Sequence, residues 1–395
     1  MFDFDKLINR RGTGSYKWDS DEDPEVLPMW VADMDFETAP VVREAVQARA
    51  AHGIFGYVKV PEEYYASLIG WFRRRHGWTI SRASILYTSG VVPAISAIIK
   101  AATAPGDRVL ILTPVYNCFF SSIRNNGCTA EECPLAVGDD GRYGIDFDAF
   151  EKSASVPGVK VLLLCNPHNP GGSVWSEEDL TRIGEICSRH GILVVSDEIH
   201  GEFVFGAARY TPFARVNDLN RRISVTCTSA SKSFNIAGLQ MAAIITDDEA
   251  LRSRIDRAIN VNEVCDVNPF GYAAAIAAYS EQGEAWLEAL LAYIGENDRT
   301  VREFFARRLP GFRVMPLAGT YLEWVDVKSL GLASESVEAE LTSVEKVRIA
   351  AGVHYGAAGE GFIRINIACP RARLLEGLAR IERGLKRLAG RRENE

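Results

Sequence analysis

Four short, almost uninterrupted apolar runs constrain this chain more than any other feature: RVLILTP (108–114), VKVLLLCNP (159–167), GILVVSDE (191–198) and RISVTCTS (222–229). A strand with one wet face alternates apolar and polar side chains, so runs apolar throughout predict strands covered on both faces. Helix-like stretches lie between them. SEEDLTRIGEICSRH (176–190) opens with a capping box, Ser176 followed by Glu178 and Asp179, and closes at Gly191. Strand and helix in alternation predict the α/β class, a mostly parallel central sheet with helices on both faces.

The chain has 395 residues, more than one ordinary core accommodates, so two domains are expected. After residue 290 the texture changes. NDRTVREFFARRL (297–309) reads as a helix, GTYLEWVDV (319–327) as a half-exposed strand and EGFIRINIA (360–368) as another strand. RARLLEGLARIERGLKRLAG (371–390) reads as an amphipathic helix. This predicts a large domain over 45–290 and a smaller α+β domain built from 1–44 and 291–395. A net charge of −8 argues against a nucleic-acid partner, because phosphate backbones select basic surfaces. No apolar run approaches the roughly 18 residues that cross a bilayer, and MFDFDKLINRRG lacks the order of a secretory signal, so a cytoplasmic protein without membrane contact is expected. The eight cysteines are scattered and several fall in apolar strands, which predicts buried, reduced thiols. The six histidines show no H-E-x-x-H or other zinc spacing, so no metal is expected.

In open parallel sheets ligands gather beyond the carboxyl ends of the strands. Polar residues cluster after four such ends here. Ser89 and Gly90 precede a helix whose first N–H groups and dipole suit an anion. Asn166, His168 and Asn169 follow a second strand, Asp197 and His200 end a third, and Ser229, Ser231 and Lys232 end a fourth. A lysine amine condenses with an aldehyde, and pyridoxal 5′-phosphate is an aldehyde whose phosphate would fill the anion cradle. A carboxylate at its ring nitrogen, here Asp197, would keep that nitrogen protonated.

These motifs stand in the order LPMWVADMDF, GIFGY, SGVVPA, PVYNCFF, NPHNPGG, SDEIH, SASKSFNIAGLQ, GTYLEW and FIRINIACP, nearly end to end. In that order and spacing the chain resembles the fold-type-I pyridoxal-phosphate enzymes, the aspartate-aminotransferase-like superfamily, and within it the MalY/PatB-type C–S lyases, or cystathionine β-lyases. The resemblance implies a homodimer with shared active sites that acts on a small amino-acid substrate. Lys232 would hold the cofactor and move the α-proton, and Asp197 would pair with the ring nitrogen. Asn169 would bond the phenolic oxygen, with His200 close by. Ser229, Ser231 and the N–H groups of Val91 and Val92 after Gly90 would belong to the cofactor cradle, and Tyr116 would stack on the ring. Tyr57 would reach across from the neighbouring subunit, and Arg364 would clamp the substrate carboxylate.

Plainer readings compete: Lys232 as a surface amine, Arg364 as a solvent-facing strand residue, Tyr116 as a core aromatic, and His200 as packing beside Asp197. Gln240 stands where the superfamily often carries a phosphate-binding arginine, which matches the lyase branch. Asn117 and Cys118 depart from that branch's usual pair, and Tyr210 stands where a histidine is common. The expected reaction is α,β-elimination from cystathionine or another cysteine S-conjugate to pyruvate, ammonia and a thiol. Transamination by a class I/II aminotransferase is the alternative, followed by a regulatory protein on the same scaffold. Trp30, Asp33 and Asp35 match the family signature without an assigned chemistry.

Overall fold

The structure is a computed structural model that describes residues 2–261, 263 and 266–392. Its centre is a seven-stranded sheet in the order 85–88, 242–245, 224–228, 193–197, 159–165, 108–113, 129–134. The four apolar runs form adjacent members of this sheet, paired in parallel. Ala242–Ile245 runs antiparallel to both of its neighbours, so Ile85–Thr88 regains the direction of the rest. Successive side chains point to opposite faces. Val109, Ile111, Val161, Leu163, Val195 and Val225 accordingly pack with helices Val91–Ala102 and Glu249–Val261. Leu110, Leu112, Leu162, Leu164 and Val194 pack on the other face with Phe150, Leu180 and Ile183. The helix over Glu177–Arg189 begins with the expected capping box, in which Ser176 and Asp179 exchange hydrogen bonds.

A second sheet of four strands, in the order 313–314, 322–326, 362–366, 350–351, carries the C-terminal part. The strand Leu322–Asp326 was expected to be half exposed. It is buried over its first four residues, because Trp324 stacks on Phe362 on one side while Val325 joins the main core on the other. Glu323, whose charge suggested a wet face, lies buried with the Asp298 and Arg302 side chains as its electrostatic neighbours. The helix expected over 297–309 is the second half of a 28-residue helix, Glu281–Arg308. Leu27–Pro28 pairs in parallel with Val347–Arg348, so the N-terminal segment joins the C-terminal part. Gly319 lies where a Cβ would come 2.7 Å from Pro167 and 2.9 Å from Val174, so only glycine lets the small sheet's entry loop approach the NPHNPGG turn this closely.

The seven described cysteines form no disulfide, and all but Cys118 are buried. Cys265 lies outside the described residues. Among the described residues no helix is long and apolar enough to cross a membrane.

Candidate functional site

The carboxyl ends of the parallel strands meet at one edge of the large sheet. Cys165, Asp197 and Cys227 lie in register on three neighbouring strands. Asp197 is 3% exposed. Its Oδ1 accepts a 3.1 Å hydrogen bond from the Ile199 N–H. Burial between thiol-bearing strands pushes its carboxyl up to about 7, against smaller opposing effects of that N–H and of Lys232.

The strand Ser224–Thr228 breaks off into a single helical turn, Ala230–Ser233, capped by Ser229, whose Oγ accepts from the Ser231 N–H. The turn delivers Lys232 beneath the N-terminal segment, where its Nζ donates to the Ala32 carbonyl at 2.6 Å. Desolvation lowers the amine's pKa, opposed most strongly by the charge of Asp33, while Arg364 lowers it further and Asp197 raises it. Lys232 is therefore no surface amine.

Arg364, in the middle of strand Phe362–Asn366, is 5% exposed and does not face solvent. Its Nη1 donates to Asn169 Oδ1 at 3.1 Å and its Nη2 to the Trp30 carbonyl at 2.7 Å. Its guanidinium lies 4.7 Å from the Tyr355 ring centre. The Nε–H is buried without a hydrogen-bond partner. A guanidinium held by two nitrogens with a third donor free is prepared to receive a planar anion.

The remaining residues are placed as follows. Gly90 precedes the helix Val91–Ala102, which starts without a side-chain cap, so no side chain occupies its first N–H groups. A Cβ on Gly90 would meet Pro93 Cδ at 3.3 Å. The Ser229 hydroxyl donates to the Met241 carbonyl at 2.5 Å and would have to rotate to serve a phosphate. His200 is buried with Nδ1 unpartnered, edge-on to Tyr321, and burial lowers its pKa to about 3, so the imidazole is neutral. His168 is also neutral, lowered to about 4 by burial, with Nε2 at 2.8 Å from the Pro114 carbonyl. Tyr116 is half-buried, and burial holds its hydroxyl well above the ordinary phenol range, aided by Cys118 and Asp197. Tyr57 is 97% exposed and is not brought to this cluster within one chain.

Sequence reasoning missed the backbone of residues 30–33. The Ala32 carbonyl accepts from Tyr321 Oη at 2.9 Å as well as from Lys232. Asn366 Nδ2 ties down the Val31 and Asp33 carbonyls, and Asn235 ties down both Met34 and Phe36. WVADMD was visible as a motif, but nothing in its side chains announces that its carbonyls are the working parts.

A family model described as aminotransferase class I and II matches residues 24–381. The chain belongs to this family. Over 386 residues it is 41% identical to cystathionine beta-lyase PatB of Bacillus subtilis, covering 97% of this chain and 99% of the relative. It is 34% identical to protein MalY of Escherichia coli over 96% of this chain and 97% of that one. Among solved structures, cystalysin from Treponema denticola, which contains a pyridoxal 5′-phosphate cofactor, superposes with a TM-score of 0.94 at 34% identity, over 98% of this chain and all (100%) of that chain. The fold is thus that of the fold-type-I pyridoxal-phosphate enzymes.

The residues present fit such a cofactor: a desolvated amine, a buried carboxyl that forms no ion pair among the described residues, an uncapped helix start and a guanidinium with a free N–H. Asp197 supplies a test. Its folded value lies above the ordinary aspartate value of about 4. Its contribution therefore stabilises the cofactor-free fold below about pH 4 and is lost as pH rises through about 7. In the cofactor-free protein Asp197→Asn should raise Tm at pH 8 relative to the parent, with less gain at pH 5. Parallel Tm–pH profiles for the two proteins would contradict the burial argument.

Proposed function

We propose that this chain is a pyridoxal-phosphate-dependent carbon–sulfur lyase that cleaves the Cβ–S bond of cystathionine or another cysteine S-conjugate. The observation that carries this reading is the convergence of Lys232, Asp197 and Arg364 at one sheet edge. The likeness to PatB over nearly the whole chain selects elimination among the reactions that such a site can perform. Bound there, pyridoxal 5′-phosphate supplies an aldehyde carbon for an amine and a ring that takes up the electron pair left when an α-proton departs.

The protein's own groups do the rest. Lys232, half-buried and with its proton affinity lowered by desolvation, holds the cofactor and then carries the α-proton. Asp197 holds a proton on the ring nitrogen, and that cation would offset the cost of burying its carboxylate. Asn169 already accepts from Arg364 through Oδ1, which leaves its amide N–H groups for the phenolic oxygen. Tyr116 covers the ring, and neutral His200 adds no competing charge. The N–H groups of Val91 and Val92 after Gly90, with Ser229 and Ser231, hold the phosphate. Arg364 fixes the substrate carboxylate through Nε and a remaining Nη hydrogen, which orients the Cα–H toward Lys232.

On this reading residues 45–290 form the cofactor domain, and 1–44 with 291–395 form the small one, a division supported by the pairing of Leu27–Pro28 with Val347–Arg348. The chain works as a homodimer. Supporting this, Ile54, Phe55 and Tyr57 are 67%, 59% and 97% exposed in one short run, an apolar surface that a second copy would cover while bringing Tyr57 to its partner's site. The free, mostly buried cysteines suit a reducing, cytoplasmic setting.

L-Cystathionine or another S-alkyl cysteine should yield pyruvate, ammonia and thiol in equal amounts with no keto acid added. Product that appears only with a keto acid, sulfur still attached to carbon, would make the protein an aminotransferase. Arg364→Ala should lower kcat/KM by about a hundredfold, as for a lost charge-assisted pair. Light scattering should give twice the chain mass of 43.5 kDa at assay concentration. A fully active species at the single-chain mass would reject the shared site.

A further inference from the structure

The segment that closes over Lys232 is anchored by a buried ion cluster in which two carboxylates share three cations. Asp35, 1% exposed, faces Lys17 at 3.2 Å, Arg10 at 2.8 Å and Arg373 at 3.3 Å, and accepts from Trp18 Nε1 at 2.8 Å. Lys17 is itself 1% exposed, and its Nζ also donates to the Asp33 carbonyl at 3.3 Å. Asp33 fares differently. Its Oδ2 accepts from Arg10 at 2.7 Å, and its Oδ1 has only Lys17 at 3.6 Å; that oxygen, like Asp35 Oδ2, is buried without a hydrogen bond. Asp35 thus meets three cations, while the charge of Asp33 meets two, both shared with Asp35. That charge sits one residue beyond the carbonyl that holds Lys232 Nζ at 2.6 Å.

The groups that face Lys232 come from every side. Asp197 and neutral His200 come from the strand 193–197 and its loop, Arg364 from strand 362–366, Cys118 from the start of helix 118–125, and Tyr321 from the entry to strand 322–326. Arg364 opposes a proton on the amine, and Asp197 is engaged at the ring nitrogen once the cofactor is bound. Asp33 is left as the remaining anion, its carboxylate held by Arg10 and its carbonyl by Lys17 and Asn366.

We infer that Asp33 is a positioning residue for the reaction, an anion that biases the Lys232 nitrogen toward its protonated form and is itself tuned by Arg10. The inference deepens the proposed function and rests on Lys232 being the lysine that carries the cofactor. It gives the first of the WVADMD carboxylates an electrostatic task and leaves the second, Asp35, a structural one. A protonated nitrogen at that link is the form that an incoming substrate amine attacks most readily, so Asp33 would set the upper end of the pH range over which substrate exchange is fast.

The test is a spectrophotometric pH titration of the holoenzyme, which follows the cofactor absorbance that reports protonation at Lys232. Asp33→Asn should lower the midpoint by on the order of one pH unit, about a tenfold loss of proton affinity, as expected when a nearby opposite charge is removed. Arg10→Gln should move it upward, because it unmasks the Asp33 charge. A role confined to holding the fold would not give opposite signs. An unchanged midpoint in Asp33→Asn, or shifts of the same sign in both variants, would overturn the inference. Should Asp33→Asn fail to take up cofactor, Arg10→Gln, which keeps both carboxylates, decides alone: an upward shift supports the inference and no shift rejects it. If Lys232→Ala retains the covalent absorbance band, the lysine assignment fails and the inference falls with it, a result distinct from a silent Asp33→Asn.

Discussion

Asp197 is closed off from water at the end of a parallel strand, between two thiol-bearing neighbours, with one backbone N–H as its hydrogen-bond partner. A carboxylate so placed carries a desolvation cost of several kcal/mol unless a cation or a proton accompanies it. Alone, the protein meets that demand by pushing the carboxyl up to about 7. A cationic ring nitrogen would meet it differently, drawing binding energy from a strain that the fold already holds. Strand order, burial and the thiols in register all serve this one unfavourable placement.

The other half of the site is organised by backbone carbonyls. Trp30 and Ala32 lie on a segment pinned by Asn366, Asn235 and a buried ion cluster, and their carbonyls hold Arg364 and Lys232 respectively. The Lys232 amine and the Arg364 guanidinium thus hang from positions only two residues apart, although they are far apart in sequence. Displacement of the segment would move both together, which gives the N-terminal 36 residues a part in the chemistry without supplying a reacting group.

The central sheet was legible where strands were apolar throughout, because burial on both faces leaves no polar alternation to confuse the pattern. Ala242–Ile245 escaped notice because four small apolar residues show no period, and Thr129–Pro134 because an edge strand tolerates the acidic pair Glu131 and Glu132. Glu323 misled the reading of its strand, since a buried acid that faces a helix looks like a wet face in sequence. Lys232, Asp197, Asn169 and Arg364 could be singled out because each lies in or just after an obvious strand. What could not be read were the carbonyls of residues 30–33, which carry no side-chain signature, and the complete burial of Lys17, which depends on Asp35 from a segment 18 residues later. In the proposed dimer the place of Tyr57 would depend on a second chain, which no single sequence depicts.

The central claim is that Lys232 carries a pyridoxal cofactor in covalent linkage. Reduction of the cofactor-loaded protein with borohydride, followed by protease digestion and mass spectrometry, tests it most directly. The account predicts one pyridoxyl-phosphate adduct per chain, on the peptide that contains Lys232. An adduct on another lysine, or none in a protein that still binds the cofactor, would contradict it.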